Sequence, residues 1–169
     1  FRFGMRPADP VCASYLLLAL KCYEFYEDKR IIKDHYGGMK AWVDFLYSKT
    51  DSGIVNYSYY GDWCPPIEFG DLSNPSISKN TPGKMISTGY LYNCAKIISD
   101  MASIIGFTKD EIYYDQISKE IRKAFNAKYW NEQSGGYASN NQASNSFALY
   151  MGLVENKNIS RVIKNLVED

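Results

Sequence analysis

This sequence has almost no histidine, no excess of charge of either sign and no long apolar run, and each shortage removes a class of function. Its one histidine, His35, lies beside Asp34 in a helical pattern with no Ser or Cys nucleophile in an elbow motif, so it reads as a surface residue and triad chemistry is unsupported. Lys plus Arg and Asp plus Glu both number 19, a formal net charge of zero. No basic stripe is present to neutralise phosphates, so nucleic acid is not an expected partner. No apolar run approaches the roughly 18 residues of a membrane span, and Phe1-Arg2-Phe3-Gly4 forms no signal peptide. No membrane partner is expected either. Cys12, Cys22, Cys64 and Cys94 form no CxxC pair and have no regular spacing, so they read as buried thiols rather than as a zinc site or a disulfide framework. HExxH, EF-hand, Walker and Rossmann patterns are all missing, and no metal or cofactor is expected.

What is present is apolar and aromatic. The 169 residues are 46% hydrophobic, enough for the core of one ordinary domain. The 15 Tyr, 8 Phe and 3 Trp exceed what a generic helical scaffold needs. Carbohydrate sites use such surface, and core filling is the alternative use. The chain starts without Met and ends inside an amphipathic pattern, which suggests a piece of a longer protein.

Six helical patterns follow one another. Asp9-Pro10 reads as an N-cap with proline at the first helical position, and Val11, Tyr15, Leu18, Cys22 and Phe25 recur at helical spacing. After a tight turn at Glu27-Asp28, Ile32, Tyr36, Met39, Val43 and Leu46 mark a second helix, interrupted by Gly37-Gly38, whose cost of roughly 1 kcal/mol per glycine implies a close helix crossing. Leu91, Ala95, Ile98, Ala102 and Ile105 mark a third helix, stopped by a left-handed cap at Gly106. Thr108 and Glu111 have capping-box spacing before a fourth, with Ile117, Ile121, Ala124 and Phe125 on its buried side. Residues 131–140 read as a loop, then Phe147, Ala148 and Met151 suggest a fifth helix and Ile159, Val162, Ile163 and Leu166 a sixth. The expected fold is all-α: three antiparallel helical hairpins forming part of an (α/α)6 toroid, since no solenoid repeat consensus is present.

Residues 50–83 break the helical period with four glycines and four prolines, and Ile54 to Tyr60 alternates like a short strand or hairpin arm. Aromatic density argues against disorder, and loops of this length in compact domains are usually functional. Within it, Tyr60-Gly61-Asp62-Trp63 sets a carboxylate beside an indole. Asp62 can accept hydrogen bonds from two neighbouring sugar hydroxyls while Trp63 covers the apolar face of a pyranose ring.

On these residues the chain resembles the middle of the catalytic domain of bacterial α-L-rhamnosidases, inverting glycoside hydrolases built on an (α/α)6 barrel. The resemblance is carried by Tyr36, Met39, Trp42, Phe45 and Leu46; by Tyr60-Gly61-Asp62-Trp63; by Thr88, Tyr90, Tyr92 and Met101 to Gly106; and by Tyr137, Gln142, Ala148-Leu149 and Gly152-Leu153-Val154. It runs from about Ala13 to Leu166 and departs from the pattern at Gly37-Gly38 and between Pro65 and Lys84. It implies a single partial catalytic domain over 1–169 and a carbohydrate partner, a rhamnosyl glycoside or polysaccharide, with Asp62, Trp63 and Tyr60 binding the sugar. The family's general acid is a glutamate in a motif preceding this region, and its general base a glutamate in a later tryptophan-containing motif. Both would then lie outside the chain, and no catalytic residue is assigned within it.

Each candidate has an alternative. Glu68 and Asp71 read as solvated loop charges, and Tyr60 is as compatible with a structural role as with lining a pocket. Gln142 reads as a cap of the fifth helix ahead of a hydrogen-bonding residue inside the barrel mouth, and Trp130 as a core or staple residue ahead of a ligand platform. The competing function is a non-catalytic helical-hairpin scaffold that binds a protein partner through a concave surface.

Overall fold

A computed structural model of the chain describes residues 10–58, 61–72 and 77–168. Six helices alternate with two β-hairpins: α1 (Pro10–Tyr26), α2 (Arg30–Ser48), β1 (Thr50–Asp51), β2 (Ile54–Val55), α3 (Gly83–Ile105), α4 (Thr108–Tyr129), β3 (Trp130–Asn131), β4 (Gly136–Tyr137), α5 (Gln142–Tyr150) and α6 (Ile159–Glu168). The helices form the three expected antiparallel hairpins, α1/α2, α3/α4 and α5/α6. Among the described residues no helix is long and apolar enough to cross a membrane.

The core is organised around α3, which packs on α1, α2, α4 and β2. Leu91, Ala95, Ile98 and Ala102 are buried as their spacing predicts, and Ile105 is half-buried at the end of the helix. Gly106 closes it at φ +85, with the Phe107 amide donating to the Ala102 carbonyl (2.7 Å) and the Gly106 amide to Ser103 (3.2 Å). The left-handed stop read from the sequence is therefore present. On α2, all five stripe residues, Ile32, Tyr36, Met39, Val43 and Leu46, are buried. Full burial of such side chains is worth about 1.5–3 kcal/mol each, which outweighs the two glycines between them.

Gly38 lies under the Tyr15 side chain of α1. A Cβ there would meet the Tyr15 hydroxyl at 2.8 Å, whereas one at Gly37 would meet nothing within 4 Å. The Tyr15 hydroxyl also reaches the His35 carbonyl at 3.5 Å, across the α1/α2 hairpin. Both glycines of this departure from the family pattern thus lie inside an unbroken helix, and one of them has a packing reason.

Several expectations need correction. On α1 the buried residues are Ala13, Leu16 and Ala19, while Tyr15, Leu18 and Phe25 are exposed and Cys22 is half-buried. The segment is apolar on nearly every side, so periodicity does not fix its face; the small side chains of Ala13 and Ala19 suit the face that meets neighbouring helices. Asp9, the expected cap, lies outside the described residues. The capping box of α4 does not form: Thr108 is already its first helical residue, and Phe107 precedes it without a side-chain cap. Asp110 and Glu111 in the first turn complement the helix dipole instead. On the same helix Ile117, Ile121 and Phe125 are buried and Ala124 is half-buried. Of the four cysteines only Cys94 is buried, its thiol pushed up to about 12 by burial; Cys12 and Cys22 are half-buried and Cys64 is exposed. Ile163, expected on the buried side of α6, is exposed, and Val162 is buried. The 131–140 segment is not a plain loop, because β3 and β4 pair within it, Trp130 with Tyr137 and Asn131 with Gly136.

Candidate functional site

The long connection before α3 starts with the β1–β2 hairpin, turned by Ser52 (φ +50) and Gly53 (φ +82). Both positions of a tight hairpin turn need positive φ, which glycine supplies without strain. Ile54 and Val55 are buried, and the Val55 amide donates to the Thr88 hydroxyl of α3 at 3.1 Å. The hairpin is thereby tied to the first turns of α3, and the chain leaves it heading for the Gly61-Asp62-Trp63 turn.

Gly61 is buried at φ +61, and a Cβ on it would lie 2.7 Å from the Cα of Gly83, the first residue of α3. The acidic-aromatic turn therefore rests directly on that helix start. Asp62 is half-buried and Trp63 is 55% exposed, so both side chains are within reach of solvent. The later part of the loop folds back on them. Ile77 pairs with Trp63 in an antiparallel bridge, Ser78 pairs with Gly70, the Ser78 amide donates to the Asp62 carbonyl (3.1 Å) and the Asp71 amide to the Ile77 carbonyl (2.7 Å). Of the other loop carboxylates, Glu68 is exposed and Asp71 half-buried. Tyr60, the third expected sugar-binding residue, lies outside the described residues.

The connection before α5 arrives at the same place. Asn131 turns the β3–β4 hairpin by accepting from the amides of Gln133 (2.9 Å) and Ser134 (3.2 Å). Arg161 of α6 braces it through Glu132 Oε1 (3.0 Å) and the Glu132 carbonyl (2.6 Å). The Glu132 carboxyl is held below its ordinary value, chiefly by the Trp130 indole N–H and also by Arg161. Trp130 packs edge-on against Tyr137 at 5.3 Å, which fits its expected core role. Asn145 accepts from the Tyr137 amide at 2.9 Å, so the first turn of α5 fixes β4. The N-cap of α5 is Asn141, whose Oδ1 accepts from the Ser144 amide at 2.8 Å; Gln142, expected to cap, is the exposed first helical residue.

The two connections touch. The Ser139 hydroxyl donates to the Asn80 carbonyl (2.5 Å), and Asn141 Nδ2 donates to the hydroxyl of Thr81, which is fully buried (3.1 Å). Deeper in, the Phe147 ring of α5 fills the space over Gly89 of α3, where a Cβ would meet it at 2.3 Å. The turn bearing Asp62 and Trp63 thus lies at one end of the molecule, where the segments leading into α3 and α5 meet. Ser78, Thr81, Ser139 and Asn141 were not singled out by sequence. Their local signal is Asn140-Asn141 before an apolar helical pattern, a cap signature immediately ahead of Gln142.

Chemically, this end offers a half-buried carboxylate and an exposed indole on consecutive residues, joined through the backbone of Asp62 to the buried Ser78 and Thr81. Among the described residues no group of three or more His, Cys, Asp or Glu is arranged to hold a metal ion.

Residues 12–169 match the model of the bacterial alpha-L-rhamnosidase 6 hairpin glycosidase domain. An alpha-L-rhamnosidase of Streptomyces avermitilis is 28% identical over 132 residues, covering 78% of this chain and 12% of the relative. An alpha-L-rhamnosidase of Alteromonas sp. is 26% identical over 116 residues, 69% of this chain and 12% of that protein. Among solved structures, that of alpha-L-rhamnosidase from Dictyoglumus thermophilum superposes with a TM-score of 0.85 at 34% identity, over 96% of this chain and 18% of the other. The chain therefore spans about an eighth of the length of these curated relatives.

Proposed function

The chain belongs to the bacterial α-L-rhamnosidase six-hairpin glycosidase family, and from that membership we propose that it is one part of an (α/α)6 catalytic barrel in an enzyme that hydrolyses terminal α-L-rhamnose from glycosides or polysaccharides. Asp62 and Trp63 bind the sugar, the carboxylate taking its hydroxyls and the indole covering its apolar side; Tyr60 joins them. The 6-methyl group of a deoxy sugar suits such an apolar wall. Residues 1–169 act as a single partial catalytic domain, and the acid and base glutamates come from outside them. The reaction inverts the anomeric centre by single displacement: one carboxylic acid protonates the leaving oxygen while a carboxylate about 6.5–9.5 Å away activates water on the opposite face.

One observation carries this assignment. Asp62 and Trp63 share a turn seated on the start of α3, where the segments leading into α3 and α5 converge. Membership of a glycosidase family weighs against a purely protein-binding scaffold. The test is Asp62→Asn in the enzyme that carries this domain. Turnover of a rhamnosyl substrate is expected to fall at least about 100-fold with the fold intact, the order of a lost charge-assisted hydrogen-bond pair. Unchanged kinetics would remove Asp62 from the site. Release of rhamnose with the substrate's own anomeric configuration, followed by NMR during turnover, would rule out inversion.

A further inference from the structure

A chain of hydrogen bonds runs beneath the Asp62–Trp63 turn and ends on the neighbouring hairpin. The Asp62 carbonyl accepts from the Ser78 amide (3.1 Å), and the Ser78 hydroxyl accepts from the Thr81 amide (3.1 Å). The Thr81 hydroxyl then accepts from Asn141 Nδ2 (3.1 Å), and Asn141 Oδ1 accepts from the Ser144 amide at the start of α5 (2.8 Å). Ser78 is 8% exposed, and Thr81 and Ser144 are fully buried. Thr81 and Asn141 are 60 residues apart in sequence, and theirs is the side-chain link of this chain that crosses from the α3 connection to the α5 connection.

We infer that Thr81 and Asn141 are positioning residues, coupling the acidic-aromatic turn to the N-terminus of α5 so that Asp62 and Trp63 hold a fixed geometry toward a bound saccharide. The inference rests on the sugar-binding role of that turn. Its physical basis is the cost of leaving a buried polar group unpaired: Thr81 is fully buried, so loss of the Asn141 amide strands its hydroxyl away from water, and the pair has one strongly preferred arrangement. The Asn141 side chain serves two ends at once, because the oxygen that caps α5 and the nitrogen that holds Thr81 belong to one rigid amide plane. Any shift of α5 therefore reaches the Ser78–Thr81 turn, and through the Ser78 amide it reaches the backbone of Asp62.

The experiment compares the enzyme that carries this domain with its variants Thr81→Val, which keeps shape and removes the hydroxyl, and Asn141→Ser, which keeps a capping oxygen too short to reach Thr81. Thr81→Ser is the conservative rescue. Three quantities are read: the indole N–H resonance of Trp63 with that of Trp42 as internal reference, hydrogen exchange of the Ser78 amide, and affinity for L-rhamnose by calorimetry. In Thr81→Val and Asn141→Ser the Trp63 resonance is expected to move while Trp42 stays. Ser78 exchange should quicken, and rhamnose affinity fall, roughly tenfold, the scale of one buried hydrogen bond. Thr81→Ser should match the parent in all three. If Thr81→Val does not fold, Asn141→Ser carries the same readouts. An unmoved Trp63 and unchanged Ser78 exchange in the folded variants overturn the coupling. Failure of the unsubstituted enzyme that carries this domain to bind L-rhamnose would instead overturn the saccharide assignment, while Trp63 and Ser78 still decide the coupling.

Discussion

The Cα of Gly83 occupies the space into which a side chain at Gly61 would grow, so the turn that carries Asp62 and the first residue of α3 meet backbone to backbone. A Cβ at Gly61 would sit 2.7 Å from that carbon, and φ at Gly61 is +61. Both facts restrict the position to glycine.

Gly61→Ala should therefore lower stability by about 1–3 kcal/mol, the cost of holding an L-residue in a sparsely populated conformation, with the backbone clash added to it. Chemical denaturation measures it. A neutral effect would mean that the turn can lift away from α3.

The glycines of α2 should respond differently from Gly61 and from each other. Gly37→Ala fills open space in a helix interior and should stabilise by about 0.5–1 kcal/mol. Gly38→Ala gains the same propensity but must displace the Tyr15 hydroxyl from 2.8 Å, so its gain should be smaller or lost. Making Gly38→Ala in a Tyr15→Phe background should restore the difference, as read from thermal unfolding midpoints.

Alkaline pH should weaken the α2–α4 contact. The Tyr114 hydroxyl donates to Asp44 and accepts from Lys40 (2.8 Å), and the Tyr36 hydroxyl donates to Asp110 (2.9 Å). Burial first, and then the hydrogen bond to a carboxylate, raise both tyrosines above their ordinary 10.0. A folded-state value above the unfolded one means that the stabilisation is complete below about pH 10 and is lost as pH rises beyond it toward the folded-state values. Tyr114→Phe should cost about 1 kcal/mol near neutrality and flatten the fall in stability above pH 10. Urea titrations on both sides of pH 10 give the comparison.

Asn145 is expected to be the most sensitive polar residue of the third hairpin. It is 1% exposed, accepts from the Tyr137 amide at 2.9 Å and donates to Asn140 Oδ1 at 2.9 Å. Asn145→Ala leaves a buried backbone N–H without a partner and should cost about 1–3 kcal/mol. Faster hydrogen exchange at Tyr137, with α3 amides unaffected, would localise the damage to β4.

Helices with one clear apolar face were legible from residue order. The stripe of α2 and the left-handed stop at Gly106 both stand as read, because each depends on neighbours within a few residues. The face of α1 was not legible, since a helix apolar on most sides has no single preferred orientation until α2 and α3 pack against it. The capping-box spacing at Thr108 and Glu111 was local and still misleading, because the helix starts one residue earlier than the box requires. The hairpin of β3 and β4 was hidden because two-residue strands are too short to produce an alternating pattern.

By itself the sequence determined that Asp62 and Trp63 are adjacent in a stiff glycine- and proline-rich connection between helices, since both adjacency and backbone stiffness are properties of neighbouring residues. Only the tertiary structure decided that this connection meets the one before α5 and that Gly61 needs room for Gly83. It alone brought Thr81 and Asn141 together. Contacts across 60 residues leave no periodic trace in one chain; they exist because the packing of α3 against its neighbours buries polar groups that must then find partners in whatever segment lies opposite.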